Sequence, residues 1–400
     1  MMARVMSTRT EPSLQHPQAL EFHARPFSAE ELRNLLSSAK GPCLSLYINP
    51  HKGTTNAASN RFEALVTQAE KLITQENRVS KVVHFLQPLR AVSTAEFWRH
   101  APHGLAFFLS PTSSVYYRLP IEVEDRVIVA DNFHLRPLME YVQDNQRFYL
   151  LVLSEQHVSF FKGSISGLAP VPVPGLHSTL VEALGTEEHE RQTASHQSSR
   201  GGRYVVFGGA GHSDKSRDED MARFYRSVDA ALWRVLREDN APLVLVGSER
   251  DVHVYERISR YPHLTHEHVH GNHQKALAAD LHKLAMPVIA SEQRAKEEKI
   301  VELWNHEVSP NRALDEIRAI AQYAIQGRVR HLLIERGTLL FGQMDSATGA
   351  LKLHKEQSDA HDDDVLDEIA EAVLLRGGEV YSLEKGRMPT RSPIAATLRW

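Results

Sequence analysis

The sequence predicts an α/β protein of three domains, and three observations carry that prediction. Segments of helical hydrophobic spacing alternate with short apolar runs of strand length, the pattern of layered sheets and helices. A length of 400 residues suits several ordinary cores. A hydrophobic share of 42% and a charged share of 24% are those of a globular chain and exclude general disorder. No run of about 18 apolar residues is present, so no membrane-spanning helix and no membrane partner is expected.

Residues 1–26 are polar, contain no apolar stretch of signal-peptide kind, and read as a loose leader. Ser28 followed by Glu31 matches a capping box and opens a helix. Cys43–Ile48 is a strand, Asn49–Asn60 a polar connection, and Phe62–Leu72 a helix with Phe62, Leu65, Val66, Ala69 and Leu72 on one face. Gly104–Leu109 and Ser114–Leu119 read as paired strands, and this first block closes near Tyr141.

Arg147–Leu153 and His157–Phe161 form a hairpin pattern. Residues 187–220 then lack sustained apolar periodicity, and a loop so long inside a domain is either functional or disordered. Met221, Phe224, Tyr225, Val228, Leu232, Val235 and Leu236 make the stripe of the next helix, and Leu243–Val246 a buried strand ending at Gly247. A charged helix is expected over Ser291–Trp304. Another opens at Ser309-Pro310 and runs through Leu314, Ile317, Ala321 and Ala324 to a left-handed cap at Gly327. Val329–Glu335 is a strand. Val365–Leu374 is an amphipathic helix stopped by Gly377-Gly378 before the strand Glu379–Leu383.

The single cysteine, Cys43, lies in an apolar run and reads as a buried structural thiol, which places the chain in a reducing cytoplasm. A formal net charge of −4 means that any contact with nucleic acid is made through local patches. Neither nucleotide-binding glycine pattern is present, and no cofactor is expected. The run His263 to His273 would place His266 and His270 on one face of a helix, as metal ligands require. With Pro262 and Gly271 breaking helical continuity, a solvated strand and loop is the better reading for His266, His268 and His270, and no metal is expected. Asp362-Asp363-Asp364 precedes a helix and suits its positive N-terminal end. Arg387, Arg391 and Arg399 either touch RNA or solvate the C-terminus.

The order of these blocks resembles the archaeo-eukaryotic class I peptide-chain release factors and Pelota, and more closely the bacterial archaeo-eukaryotic release factor family. The residues that carry the resemblance are Leu314–Glu335, the closing stretch from Leu366 with its terminal Pro393-Ile394-Ala395-Ala396-Thr397-Leu398-Arg399-Trp400, and Asp131-Asn132-Phe133-His134. The resemblance implies an N-terminal α/β domain over 27–142 and an RNase H-like central domain over 143–286, with its long loop at 187–220. Over 287–400 it implies a kink-turn-protein-like α/β/α sandwich.

Two departures matter. Where the family carries Asn-Ile-Lys-Ser for stop-codon reading, this chain has Asn56-Ala57-Ala58-Ser59, without the lysine. Where the family carries Gly-Gly-Gln, it has Arg200-Gly201-Gly202-Arg203. A guanidinium clamps phosphate but has no acceptor and does not give up its proton, so it is a poor substitute for an amide that positions water. Glycines Gly208, Gly209 and Gly211 and the adjacent His212 form a second cluster, with His212 the one candidate general base.

The resulting expectation is a non-catalytic factor that binds the ribosomal A site, through ribosomal RNA, as a tRNA-shaped protein in ribosome protection, hibernation or rescue. Arg200–Arg203 and Gly208, Gly209 and Gly211 would form its contact loop, and an elongation-factor-like GTPase is a candidate partner. The alternatives are a codon-independent peptidyl-tRNA hydrolase and an RNA- or protein-binding module off the ribosome.

Overall fold

The computed structural model describes residues 23–38, 41–53, 55–75, 82–92, 97–98, 101–154, 157–176, 179, 214–306, 312–355 and 363–400. The chain divides into two compact units, one formed by Met1–Pro137 with Leu339–Glu371 and the other by Leu138–Thr338 with Ala372–Trp400.

The first unit is built on a sheet of β1 (His23–Pro26), β2 (Cys43–Ile48), β3 (Gly104–Ser110), β4 (Ser113–Leu119) and β5 (Arg126–Ala130), in the order β1-β4-β3-β2-β5. All neighbours are antiparallel except β1 and β4. Every residue of β2 is buried, because the sheet is covered on both faces. Leu44, Leu46 and Ile48 face a core shared with Phe62, Val66, Ala69 and Ile73 of α2 (Thr55–Gln75) and with Leu86 and Leu89 beside the short helices α3 (Val82–Phe85) and α4 (Gln87–Ala91). On the opposite face the Tyr47 hydroxyl donates to the His134 carbonyl at 2.6 Å. There Tyr117 packs edge-on against Phe27 and donates to Glu31 of α1 (Ala29–Ser38) at 2.7 Å. The expected capping box forms in part, with the Glu31 amide donating to Ser28 Oγ at 3.3 Å. Cys43 is fully buried.

One element of this unit differs from expectation. α2 begins at Thr55, so the expected polar connection is helical from there and Asn56-Ala57-Ala58-Ser59 occupies its first turns. Apolar spacing misses those turns because, of Ala57, Ala58 and Ser59, only Ala58 is buried. The preceding loop is pinned instead by polar contacts. Arg61 Nε donates to Asp125 at 2.7 Å, its other nitrogens reach the carbonyls of Asn49 and Lys52, and Asp125 also accepts from the Asn49 amide.

In the second unit a mixed sheet has the order β10-β9-β6-β7-β8, from β6 (Phe148–Val152), β7 (Ser159–Ser164), β8 (Gly167–Pro170), β9 (Leu243–Gly247) and β10 (Val269–His270). β6 and β7 form the expected antiparallel hairpin, while β9 runs parallel to both β6 and β10. The helix α5 (Arg136–Asp144) precedes β6 in sequence, and Tyr149, Leu151 and Leu153 point to a core with α6 (Asp214–Leu236) and α7 (Glu249–Glu256). Phe148, Leu150 and Val152 point to a second core with Leu281, Ala285, Val288 and Ile289 of α8 (Ala278–His306).

α8 continues past Pro287 for the length of the expected charged helix, so the domain boundary drawn at 286/287 falls inside one helix. Its C-terminal part, with Ile300, Val301 and Trp304, covers a second sheet of order β11-β17-β12-β16. The strands are β11 (Ala313–Leu314), β12 (Val329–Glu335), β16 (Glu379–Leu383) and β17 (Ile394–Leu398). α9 (Ile317–Ile325) starts later than expected. Leu314 is paired in β11 with Ala396, and the Glu316 carboxylate caps the helix by accepting from the amides of Arg318 and Ala319. Gly327 takes the expected left-handed conformation, φ +71°. The expected opening at Ser309-Pro310 lies outside the described residues.

A small antiparallel sheet of β13 (Phe341–Met344), β14 (Leu351–Leu353) and β15 (Asp363–Asp364) belongs to the first unit. It leads into α10 (Val365–Leu375).

Candidate functional site

The glycine-arginine segment read as the contact loop, Arg200, Gly201, Gly202, Arg203, Gly208, Gly209 and Gly211, lies outside the described residues, as does His212. The elements on either side of it are firmly built. Val171, Val173 and Leu176, which follow β8, pack against the core that takes Met221, Phe224, Tyr225 and Val228 of α6. α6 begins at Asp214, several residues before the first apolar position of its stripe.

Three polar clamps hold α6. Tyr225 donates to Asp251 at 2.7 Å, and Asp251 is in turn bonded by Ser248, the N-cap of α7. Asp229 accepts from Arg260 Nε at 2.7 Å, and the same guanidinium lies 5.4 Å from the Trp233 ring. Burial raises the pKa of the Tyr255 hydroxyl, next to Asp229, so it stays protonated.

The histidine run is strand and loop. His266 donates its amide to Glu292 at 2.6 Å, the His268 ring meets Glu256 at 2.7 Å, and His270 pairs in β10 with Gly247 of β9. The His270 carbonyl is approached by His273 Nε2 at 3.2 Å. His266, His268 and His270 therefore serve different neighbours. Among the described residues no group of three or more histidine, cysteine or carboxylate side chains is arranged to hold a metal ion.

The Asp131–His134 segment leads from an exposed Asp131 and half-buried Asn132 into a buried polar cluster of the first unit that sequence spacing did not reveal. Asn132 donates to Glu371 at 2.6 Å, the Leu135 amide donates to Asp367 at 3.1 Å, and Arg136 pairs with Asp364 at 2.7 Å. Asp364 also accepts from the amides of Leu340 and Leu366, so it both caps α10 and pairs with arginine. His134 Nδ1 lies 3.6 Å from Asp367, with both side chains fully buried.

Burial, with Arg126 and Arg136 nearby, drives the His134 pKa well down. Burial, with Glu371, Asp363 and Asp364 nearby, drives that of Asp367 well up. His134 is therefore uncharged near pH 7, and the contact is not an ion pair. Glu371 is pushed up to about 8 and Glu368 to about 9, again chiefly by burial. So closed a cluster can hold protons and fix a fold, but it offers no surface to a partner. The Asp131–His134 segment was singled out in the sequence; Asp367, Glu368 and Glu371 were not, and only the apolar residues of their helix were.

The C-terminal arginines separate by environment. Arg387 is bound to Glu297 at 2.5 Å, and Glu297 also accepts from Gln143. Arg399 donates to the Arg376 carbonyl at 3.0 Å. With Arg330, Arg376, Gly377 and Glu379 it lines an open cavity of about 440 Å³. Arg391 is exposed.

Residues 147–328 match the sequence model of bacterial archaeo-eukaryotic release factor family 3. No curated protein matches the chain. Among solved structures, an archaeal translation termination factor, aRF1, is similar at 15% identity over 94% of this chain and 99% of its own, with a TM-score of 0.23. Dom34 of S. cerevisiae, described as a translation termination-like factor involved in RNA quality control and interacting with Hbs1, is similar at 13% identity over 74% of this chain and 73% of its own, TM-score 0.38. An archaeal Pelota from a ribosome-bound assembly with ABCE1 is similar at 13% identity over 73% of this chain and 74% of its own, TM-score 0.39. Superpositions this loose say nothing about shared activity.

Proposed function

We infer that this chain, release-factor-like through residues 147–328, is a non-catalytic translation-associated factor that binds the ribosomal A site as a tRNA-shaped protein. Its role would be ribosome protection, hibernation or rescue in the cytoplasm, with delivery by an elongation-factor-like GTPase as part of the same reading. The supporting observation is the family match over the span that holds Arg200-Gly201-Gly202-Arg203 where the family carries Gly-Gly-Gln. Arginine at that place favours phosphate over the positioning of an attacking water. The division into domains at 27–142, 143–286 and 287–400 belongs to this proposal.

Co-sedimentation with purified ribosomes at low and high salt tests the reading. Binding should be salt-sensitive, and replacing residues 187–212 by a short glycine-serine linker should weaken it while leaving α6 intact from Asp214. Failure of the intact protein to sediment with ribosomes in either salt would remove the reading. Peptide release from stalled complexes, lost on Gly201→Ala/Gly202→Ala or His212→Ala, would replace it with the hydrolase.

A further inference from the structure

In the unit that carries the family match, α6 and α7 bury their apolar stripes in one core and leave a shallow groove between their outer faces. The groove has a volume of about 640 Å³ and is lined by Glu219, Arg223, Arg226, Arg250, His253 and Arg257, with Ala222, Val254 and Ile258 as its apolar floor. Among the described residues four arginines and one carboxylate thus line the groove, on a chain whose formal net charge is −4. All four arginines are exposed.

Several arginines elsewhere in this unit pair with carboxylates. Arg260 pairs with Asp229, Arg147 with Asp239, Arg336 with Asp144 and Arg387 with Glu297. In the groove, Arg223 lies 3.9 Å from Asp220, at the limit of an ion pair. Arg226 and Arg257 have no side-chain hydrogen bond or ion pair among the described residues. Like charges gathered in a concavity repel one another and create a positive potential that a polyanion would relieve.

We propose that the groove between α6 and α7, through Arg223, Arg226, Arg250 and Arg257, is a binding site for the sugar-phosphate backbone of RNA. Arginine in place of lysine suits phosphate, because the guanidinium fork donates two parallel hydrogen bonds to its oxygens. Among the described residues no Phe, Tyr or Trp lines the groove and guanidiniums dominate it, so it would follow the backbone without reading sequence. The arginines sit on two helices: Arg223 and Arg226 one turn apart on α6, Arg250 in the first turn of α7, and Arg257 at its C-cap. A ligand with phosphates spaced along a chain therefore fits better than a single anion. The choice of RNA among polyanions rests on the function proposed above.

The test uses the full chain and a short fluorescein-labelled RNA hairpin, titrated at several salt concentrations, beside ribosome co-sedimentation. Arg223→Ala/Arg226→Ala/Arg257→Ala is compared with Arg237→Ala, which lies outside the groove and next to Glu238. At about 0.7 to 0.9 released counterions per neutralised phosphate, losing three contacts makes the salt slope shallower by roughly 2 to 3, and weakens low-salt binding by about tenfold or more. Thermal unfolding of each protein shows that these exposed changes leave the fold in place.

An unchanged slope and affinity in the triple variant would overturn the site, even if ribosomes still bind. So would tighter binding to anionic phospholipid vesicles or to a phosphopeptide than to the hairpin. Loss of hairpin binding in the triple variant, in a protein that does not sediment with ribosomes, would leave the groove standing and remove the ribosomal reading instead.

Discussion

Asp367, Glu368 and Glu371 sit at helical spacing on α10, among the apolar residues Val365, Leu366, Ile369, Ala370 and Val373. In sequence that pattern places the acids on a wet face. In the structure Asp367 is fully buried and Glu371 nearly so, because α10 is covered on both its apolar and its acidic sides. The burial has a pH consequence. Glu371 takes its proton in the folded state below about 8 but in the unfolded chain only below about 4.5, so folding takes up a proton between these values. Its stabilising contribution is complete below the unfolded value and is lost as pH rises through the folded one.

Glu371→Gln keeps an acceptor for Asn132 and removes the titration. The variant should match the parent near pH 4.5 and gain on it as pH rises to about 8, by on the order of a few kcal/mol. Unfolding midpoints of the two proteins, measured from acid to alkaline pH, decide the matter. A difference that does not change with pH would remove the buried-proton account. Cys43, by contrast, was readable from its apolar run alone, because a lone thiol among such neighbours has little else to do.

At the scale of elements, the longer strands and the starts of α1 and α10 were legible, and the starts of α2, α6, α8 and α9 were not. β2, β12 and β16 occupy the expected residues: β2 is a short run buried throughout, β12 is buried at all but its exposed Arg330 and half-buried Glu335, and β16 follows the glycines that stop the preceding helix. α2 and α6 each start earlier than their apolar stripes, because a helix can begin on backbone hydrogen bonding ahead of its first apolar position. α8 was cut short in the sequence reading. Its first half packs on the sheet containing β6 and β9 and its second half on the sheet containing β12 and β17, so its apolar positions change face along its length.

The small sheet β13–β15 left no pattern in the sequence, having strands of two to four residues. Its packing is nonetheless tight. A Cβ on Gly342 would lie 2.3 Å from the Lys352 carbonyl oxygen and 3.1 Å from the Val365 side chain. Since the nearer obstacle is backbone of the paired strand β14, the hairpin has to open to admit it. Gly342→Ala should therefore lower stability by about 1 to 3 kcal/mol in a denaturant titration, a cost of overpacking. Wild-type stability in that variant would mean that β13 and β14 are not paired as described.

For the molecule as a whole, the order of the chain and the grouping of its contacts disagree. Sequence punctuation suggested successive blocks, yet residues 339–371 group with 1–137, while 372–400 group with 138–338. The contacts that bring Leu339–Glu371 to the earlier segment are polar and specific: Arg136 on Asp364, the Leu135 amide on Asp367, and Asn132 on Glu371. Partners so far apart in sequence leave no periodic trace, which is why the division could not be read from the residues.

It follows that a fragment of residues 287–400 contains one set of elements that can fold and one that cannot. The sheet β11-β17-β12-β16 keeps its own strands and its cover from Ile300, Val301 and Trp304. The stretch 339–371 loses every partner just named, leaving Asp364, Asp367 and Glu371 without the groups that satisfy them at a cost of roughly 1–3 kcal/mol each. Amide spectra of the isotopically labelled fragment should thus show dispersed resonances for residues 329–335 and 379–398 and collapsed ones for 339–371. Supplying residues 1–137 in trans should then restore dispersion there. A fragment with native-like dispersion throughout would mean that the third block folds by itself, and that the grouping of its middle with the N-terminal segment is not a folding unit.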